Sequence, residues 1–181
     1  PSGSDYDMND VIVEYERKVY FDKKNIVTKI VDEFTPVHDG ATYVNAFAYQ
    51  IDAAQIGDKI TLPEGAILEK ETSSIIVMSN AKQNIGNKYV VTREFNGSFL
   101  KNQLLSYNPY IIVKYSQGEQ NRTEVHLPKH KATAYANQSL IGSNDDAYYI
   151  DRKGAYPFAI DIPMLGFTPV TKRNRIDSQY P

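Results

Sequence analysis

Alternation with a period of two constrains this chain more than any other feature. Between Val11 and Phe21 the odd positions Val11, Val13, Tyr15, Val19 and Phe21 are apolar, while Glu14, Glu16 and Lys18 between them are charged. Successive side chains of a strand point to opposite faces, so this pattern reads as a long, half-buried strand. Ile26, Thr28, Ile30 and Phe34 repeat it, with Lys29 and Glu33 on the other face. The polar run Phe21-Asp22-Lys23-Lys24-Asn25 lies between the two and reads as a hairpin connection. Farther on, Tyr43, Phe47, Tyr49 and Ile51 share one face of an extended segment. Asn45 falls on that same face and is expected to satisfy a neighbouring backbone group.

Shorter strands follow at Ile60 to Leu62, Ile67-Leu68, Ser74 to Met78, Tyr89 to Thr92, Tyr110 to Tyr115 and Thr123 to Leu127. Turn formers separate them, among them Pro63-Glu64-Gly65, Asn96-Gly97 and Gly118-Glu119. Helical periodicity is nearly absent, leaving a short turn at Asp52 to Ile56 and another near Ala132 to Leu140. Many short strands between turn signals predict an all-β fold, a two-sheet β-sandwich of jelly-roll type. The expected unit is one domain over residues 1–181.

Composition narrows the function classes. A hydrophobic content of 41% with a net charge of -2 suits a folded chain and leaves no basic footprint for nucleic acid. No stretch approaches the roughly 20 apolar residues of a membrane span. The absence of cysteine removes disulfides, thiolate metal sites and cysteine nucleophiles together. The opening Pro1-Ser2-Gly3 points to a trimmed chain, so the lack of a leader says nothing about export.

The densest chemistry lies at the start, in Asp5-Tyr6-Asp7-Met8-Asn9-Asp10. Carboxylates this close repel one another unless a cation sits between them, and hard oxygen ligands suit Ca²⁺. Asp5, Asp7 and Asn9 have the spacing of the first ligands of an EF-hand loop. Asp10 stands where that loop needs glycine, and a strand follows in place of a helix, so an EF-hand is not expected. An acidic loop feeding a strand still suits Ca²⁺ when another loop adds oxygens, and Asp145 and Asp146 in Gly142-Ser143-Asn144-Asp145-Asp146 are the candidates. The competing reading makes both clusters turn caps that bond their own backbone.

Other chemistry is weaker. His126 and His130 have the spacing of a zinc pair, but that spacing needs a helix, and Pro128 interrupts it. No Gly-x-Ser-x-Gly turn accompanies a histidine. A pair of carboxylates for glycoside cleavage is a matter of three-dimensional separation, which leaves it open.

The order of several blocks resembles the LruC-type domain, a domain of unknown function in surface proteins and lipoproteins of Bacteroides-like bacteria and Leptospira. The blocks are Asp5 to Val13, Glu33-Phe34-Thr35-Pro36, Gly40-Ala41-x-Tyr43-x-Asn45-x-Phe47, Glu124 to Pro128, Gly142 to Asp146 and Tyr156 to Pro163. Phe158 stands where that family carries tryptophan. The resemblance implies an exported protein of the cell envelope or outer surface, of which this chain is the C-terminal part, and no known catalysis. It also points to Asp5, Asp7, Asn9 and Asp10 as metal ligands, with Asp145 and Asp146 as partners.

The expected function is a non-catalytic surface module, stabilised by Ca²⁺, that binds glycan or surface-protein ligands or supports adhesion. The alternatives are a polysaccharide-active enzyme with paired carboxylates and a scaffold domain for surface fibres.

Overall fold

The computed structural model describes residues 9–97, 99–105, 107–139 and 157–169. The described residues form two antiparallel sheets and no α-helix. One sheet has the order β1-β2-β7-β4, the other β5-β6-β3-β8-β9. The strands are β1 Ile12–Phe21, β2 Val27–His38, β3 Ala46–Gln50, β4 Lys59–Thr61, β5 Ile67–Glu69, β6 Ser74–Met78, β7 Tyr89–Glu94, β8 Asn108–Val113 and β9 Thr123–His126. The all-β, two-sheet sandwich expected from the alternation is the observed architecture.

The first hairpin shows how the pattern becomes structure. Asp22 accepts hydrogen bonds through its carboxylate from the Lys24 and Ile26 amides, and Asn25 takes the left-handed conformation that closes the turn. A register shift then separates the Phe21–Val27 pair from the Tyr20–Lys29 pair. One extra residue reverses the parity of the strand. Val27 is therefore fully buried, whereas the alternation had placed Ile26 and Thr28 on that face. Beyond the bulge Ile30, Asp32, Phe34 and Pro36 point inward. Pro36 is tolerated because β2 pairs with β7 only as far as Phe34, so no ladder partner waits for an N–H at that position.

The central core joins the two sheets. Phe34 on β2 meets Phe47 and Tyr49 on β3 with ring centroids 5.3 and 5.1 Å apart. Ile75, Val77 and Val91 complete this layer. Ala46, Ala48, Ile76, Tyr110 and Ile112 form a second buried cluster on the opposite face of the five-stranded sheet. That sheet is thus covered on both sides, and every residue of β6 is buried.

The second cover is the chain after β8. Arg122 and Ala136 form a parallel bridge, with the Arg122 amide donating to the Tyr135 carbonyl at 3.0 Å. The helical turn expected near Ala132 to Leu140 is absent from its described part, which makes tight turns held by side chains. The short turn at Asp52 is present as a 3₁₀ turn over Ala53–Gln55, capped by the Asp52 carboxylate. The segment from Ala41 to Asn45 is irregular, and Tyr43 is exposed, outside the core face assigned to it. Asn45 is buried and its side-chain oxygen accepts from the Lys114 amide, the backbone role expected of it.

Candidate functional site

A cavity of about 470 Å³ lies between β1 of the four-stranded sheet and β8 and β9 of the five-stranded one. Its floor is the inner face of β8 and β9, with Pro109, Ile111, Val125 and Leu127. These residues alternate with the buried Asn108, Tyr110, Glu124 and His126, so one parity of each strand faces the cavity and the other faces the second core. The wall is β1 with Val11, Val13 and Tyr15, and the cover is the segment Pro157 to Phe167. The volume falls in the usual range of small-ligand sites.

Two side-chain hydrogen bonds fasten the cover to β1. The Tyr15 hydroxyl reaches both Asp161 carboxylate oxygens, at 3.0 and 2.9 Å. The Gly166 amide donates to Glu14 Oε1 at 2.8 Å. Behind Tyr15 stands Tyr107, edge-on at a centroid distance of 5.8 Å, with the Arg17 guanidinium over its ring at 4.0 Å. Burial raises the pKa of Tyr15 and, more strongly, that of Tyr107, so both phenols stay protonated at physiological pH and Tyr15 keeps the proton it donates to Asp161.

The charged lining is of one sign among the described residues: Asp10, Glu14 and Asp161. Ile160, Met164 and Leu165 on the cover are exposed apolar side chains.

A second polar assembly lies on the far face of the five-stranded sheet, buried beneath the chain after β9. Arg122 is bidentate to Glu69 at 2.7 and 2.8 Å, and its Nε donates to Glu124 at 2.8 Å. Glu124 also accepts from the Thr133 hydroxyl and amide, at 2.7 and 2.9 Å. His126 places its ring nitrogens 2.9 Å from Glu124 Oε2 and 2.8 Å from Asn108 Oδ1. The Asn108 amide is pinned in that orientation, because its Nδ2 donates to Gln50 Oε1 and to the Lys131 carbonyl.

Burial disfavours the Glu124 carboxylate, but the bonds from His126, Thr133 and Arg122 outweigh it and hold its pKa below the usual range. At His126 burial is the larger influence and lowers the pKa, against the pull of Glu124. Both partners of His126 are acceptors and a neutral imidazole has a single N–H, so the neutral ring donates to one of them and only the imidazolium donates to both. The assembly fastens the loop to the sheet.

The residues singled out as metal ligands divide in two. Asp5, Asp7, Asp145 and Asp146 lie outside the described residues. Asn9 and Asp10 are described. The Asn9 carbonyl accepts from the Gly40 amide at 2.8 Å, and its side chain rests on Gly40, where an added Cβ would come within 2.8 Å of Asn9 Oδ1. Asp10 lines the cavity. The oxygen-rich donor set suits Ca²⁺ chemically, and Asn9 is held in place by backbone rather than left to a metal alone. Among the described residues no three His, Asp or Glu side chains converge in a way that could hold an ion.

Glu14, Tyr15 and Asp161 were not singled out by the sequence. The available signals were a carboxylate between two isoleucines in a proline-bracketed segment, and a tyrosine on the inward parity of β1.

The fold and cavity define an all-β sandwich with a covered cleft at one edge. Residues 25–181 match a family described as a domain of unknown function, DUF4842, and the chain belongs to that family. No curated protein and no solved structure matches it. No helix among the described residues is long and apolar enough to cross a membrane.

Proposed function

We propose that this is a non-catalytic binding module of the LruC type, exported to the cell envelope or outer surface, with the cavity along β1 as its ligand site. The cavity carries this reading: a covered, largely apolar space with tyrosines on its wall and acidic groups among its lining residues. Glu14 and Asp161 are engaged in holding the cover, which suits recognition better than proton transfer. The acidic N-terminal segment Asp5, Asp7, Asn9 and Asp10, with Asp145 and Asp146, binds a structural Ca²⁺ in this reading. Its support is the donor chemistry and the resemblance of the sequence blocks.

Three carboxylates lining one cavity favour a second reading, an enzyme acting on envelope polysaccharide. Incubating the domain with bacterial envelope preparations separates the two. Saturable retention without release of reducing ends, weakened in a folded Ile111→Phe variant that fills the cavity, is the expected result. Release of reducing ends that stops in Glu14→Gln would establish the enzyme and overturn the module.

A further inference from the structure

Asp39 follows β2 directly, and its side chain is closed off from solvent although it belongs to a connecting segment. Oδ1 accepts from the Ala41 amide at 3.0 Å. Oδ2 is buried and has no hydrogen-bond partner among the described residues. Lys82 does not supply one. Its Nζ donates to the Ala41 carbonyl and stands 3.8 Å from Asp39 Oδ1, beyond hydrogen-bond reach, on a side chain half exposed to solvent. Burial raises the pKa of Asp39, against the pull of the Ala41 amide, of Lys82 and of His38. A carboxylate oxygen taken out of water and left without a donor is costly unless something else meets it.

The same corner receives the acidic start of the chain. The Gly40 amide, next to Asp39, donates to the Asn9 carbonyl at 2.8 Å, and an added Cβ on Gly40 would come within 2.8 Å of Asn9 Oδ1. Asp7 stands two residues before Asn9 in sequence, a span of at most about 7 Å of chain. The segment read as a Ca²⁺ site is thus anchored, at its Asn9 end, beside a buried carboxylate oxygen that lacks a partner.

Resting on that reading of the acidic segment, we infer that Asp39 is a further ligand of the same Ca²⁺, through Oδ2. Ca²⁺ takes six to eight oxygens, and a short segment leaves room for a donor from elsewhere in the chain. Asp39 is such a donor, already fixed by the end of β2 and by its bond to Ala41. The ion would meet the charge that Lys82 balances only in part, and it would tie the start of the chain to β2. A water molecule or a proton at Oδ2 is the alternative occupant, and neither responds to chelation.

Calorimetric titration of Ca²⁺ into the chelator-stripped whole domain tests this in the wild type, Asp39→Asn and Lys82→Gln. Asp39→Asn keeps the acceptor for Ala41 and removes the charge, so it should bind Ca²⁺ at least about tenfold more weakly. In EDTA its melting temperature should equal or exceed that of the wild type, because an unpaired buried charge is gone. With saturating Ca²⁺ the order should reverse. Lys82→Gln removes a cation near the ion and should bind Ca²⁺ more tightly than the wild type.

Wild-type affinity in Asp39→Asn would overturn the inference and leave the acidic segment as the site. A lower melting temperature of Asp39→Asn in EDTA would make Asp39 a structural acceptor and overturn it as well. So would Lys82→Gln binding no tighter than the wild type, which would put the ion away from Asp39. If the wild type itself takes up no Ca²⁺, the Ca²⁺ reading falls and the role of Asp39 falls with it.

Discussion

Asp32 on β2 stands directly opposite Arg17 on β1, with Arg17 Nε 2.5 Å from Asp32 Oδ1, in the interior of the sandwich. The second carboxylate oxygen takes Arg93 Nη2 at 3.1 Å and the Tyr49 hydroxyl at 3.2 Å. Strands from both sheets therefore converge on one buried carboxylate. Arg93 is further fixed by the Gln55 carbonyl at 2.8 Å. Replacing Asp32 by Ala leaves two guanidinium groups in the interior without their anion. Urea denaturation should show a loss on the order of 3–5 kcal/mol, with most of it regained when Arg17 and Arg93 are also made apolar. A loss below about 1 kcal/mol for Asp32→Ala would show that water reaches the site.

Acid should loosen the far face of the five-stranded sheet first. Glu124 has its folded pKa below the usual carboxylate value, so its contribution is present above the unfolded value and lost as pH falls through the folded one. His126 has its folded pKa below the ordinary imidazole value, so the unfolded chain binds the extra proton first. Stability is lost there as pH falls below about 6.5. Both act in the same direction, and the melting temperature should drop from pH 7 to pH 4. His126→Gln should flatten the upper part of that curve and leave the lower part. A wild-type curve flat over this range would contradict the arrangement.

Gly40 allows Asn9 to lie against the fold, because a Cβ there would strike the Asn9 side chain and come within 3.0 Å of its carbonyl. Gly40→Ala should push Asn9 away, at a cost of roughly 1–3 kcal/mol typical of forced overpacking. Thermal melting measures the cost. Proteolysis should then release the first residues faster than in the wild type.

Chelation addresses the acidic segment. EDTA should lower the melting temperature and Ca²⁺ restore it, since a ligand at about 100 times its dissociation constant stabilises by about 2.7 kcal/mol. The Asp5→Asn/Asp7→Asn double variant should melt as the chelated wild type does and ignore added Ca²⁺. Superimposable wild-type curves with and without EDTA, and no metal by elemental analysis, would remove the Ca²⁺ assignment.

The strands were legible because their pattern is local. β1, β6, β7 and β9 lie where alternation and turn residues put them, β9 ending at His126, one residue short of the expected Leu127. The bulge after Phe21 was not legible, since a one-residue shift is decided by how the pair packs. Double-sided burial of β3 was hidden for a different reason: Ala46 and Ala48 are small enough to pass for either face. Arg17 and Asp32 did carry a signal, each a charge on the inward parity of neighbouring strands.

By itself the sequence determined an all-β chain, its strand spacing and an acidic start chemically suited to Ca²⁺, because periodicity and donor type are properties of short segments. The tertiary structure alone decided that β1 is the outermost described strand of its sheet, that it lines one cavity with β8 and β9, and that Asp161 returns to meet Tyr15 from far along the chain. A cavity is a relation among segments distant in sequence, and no local pattern contains it.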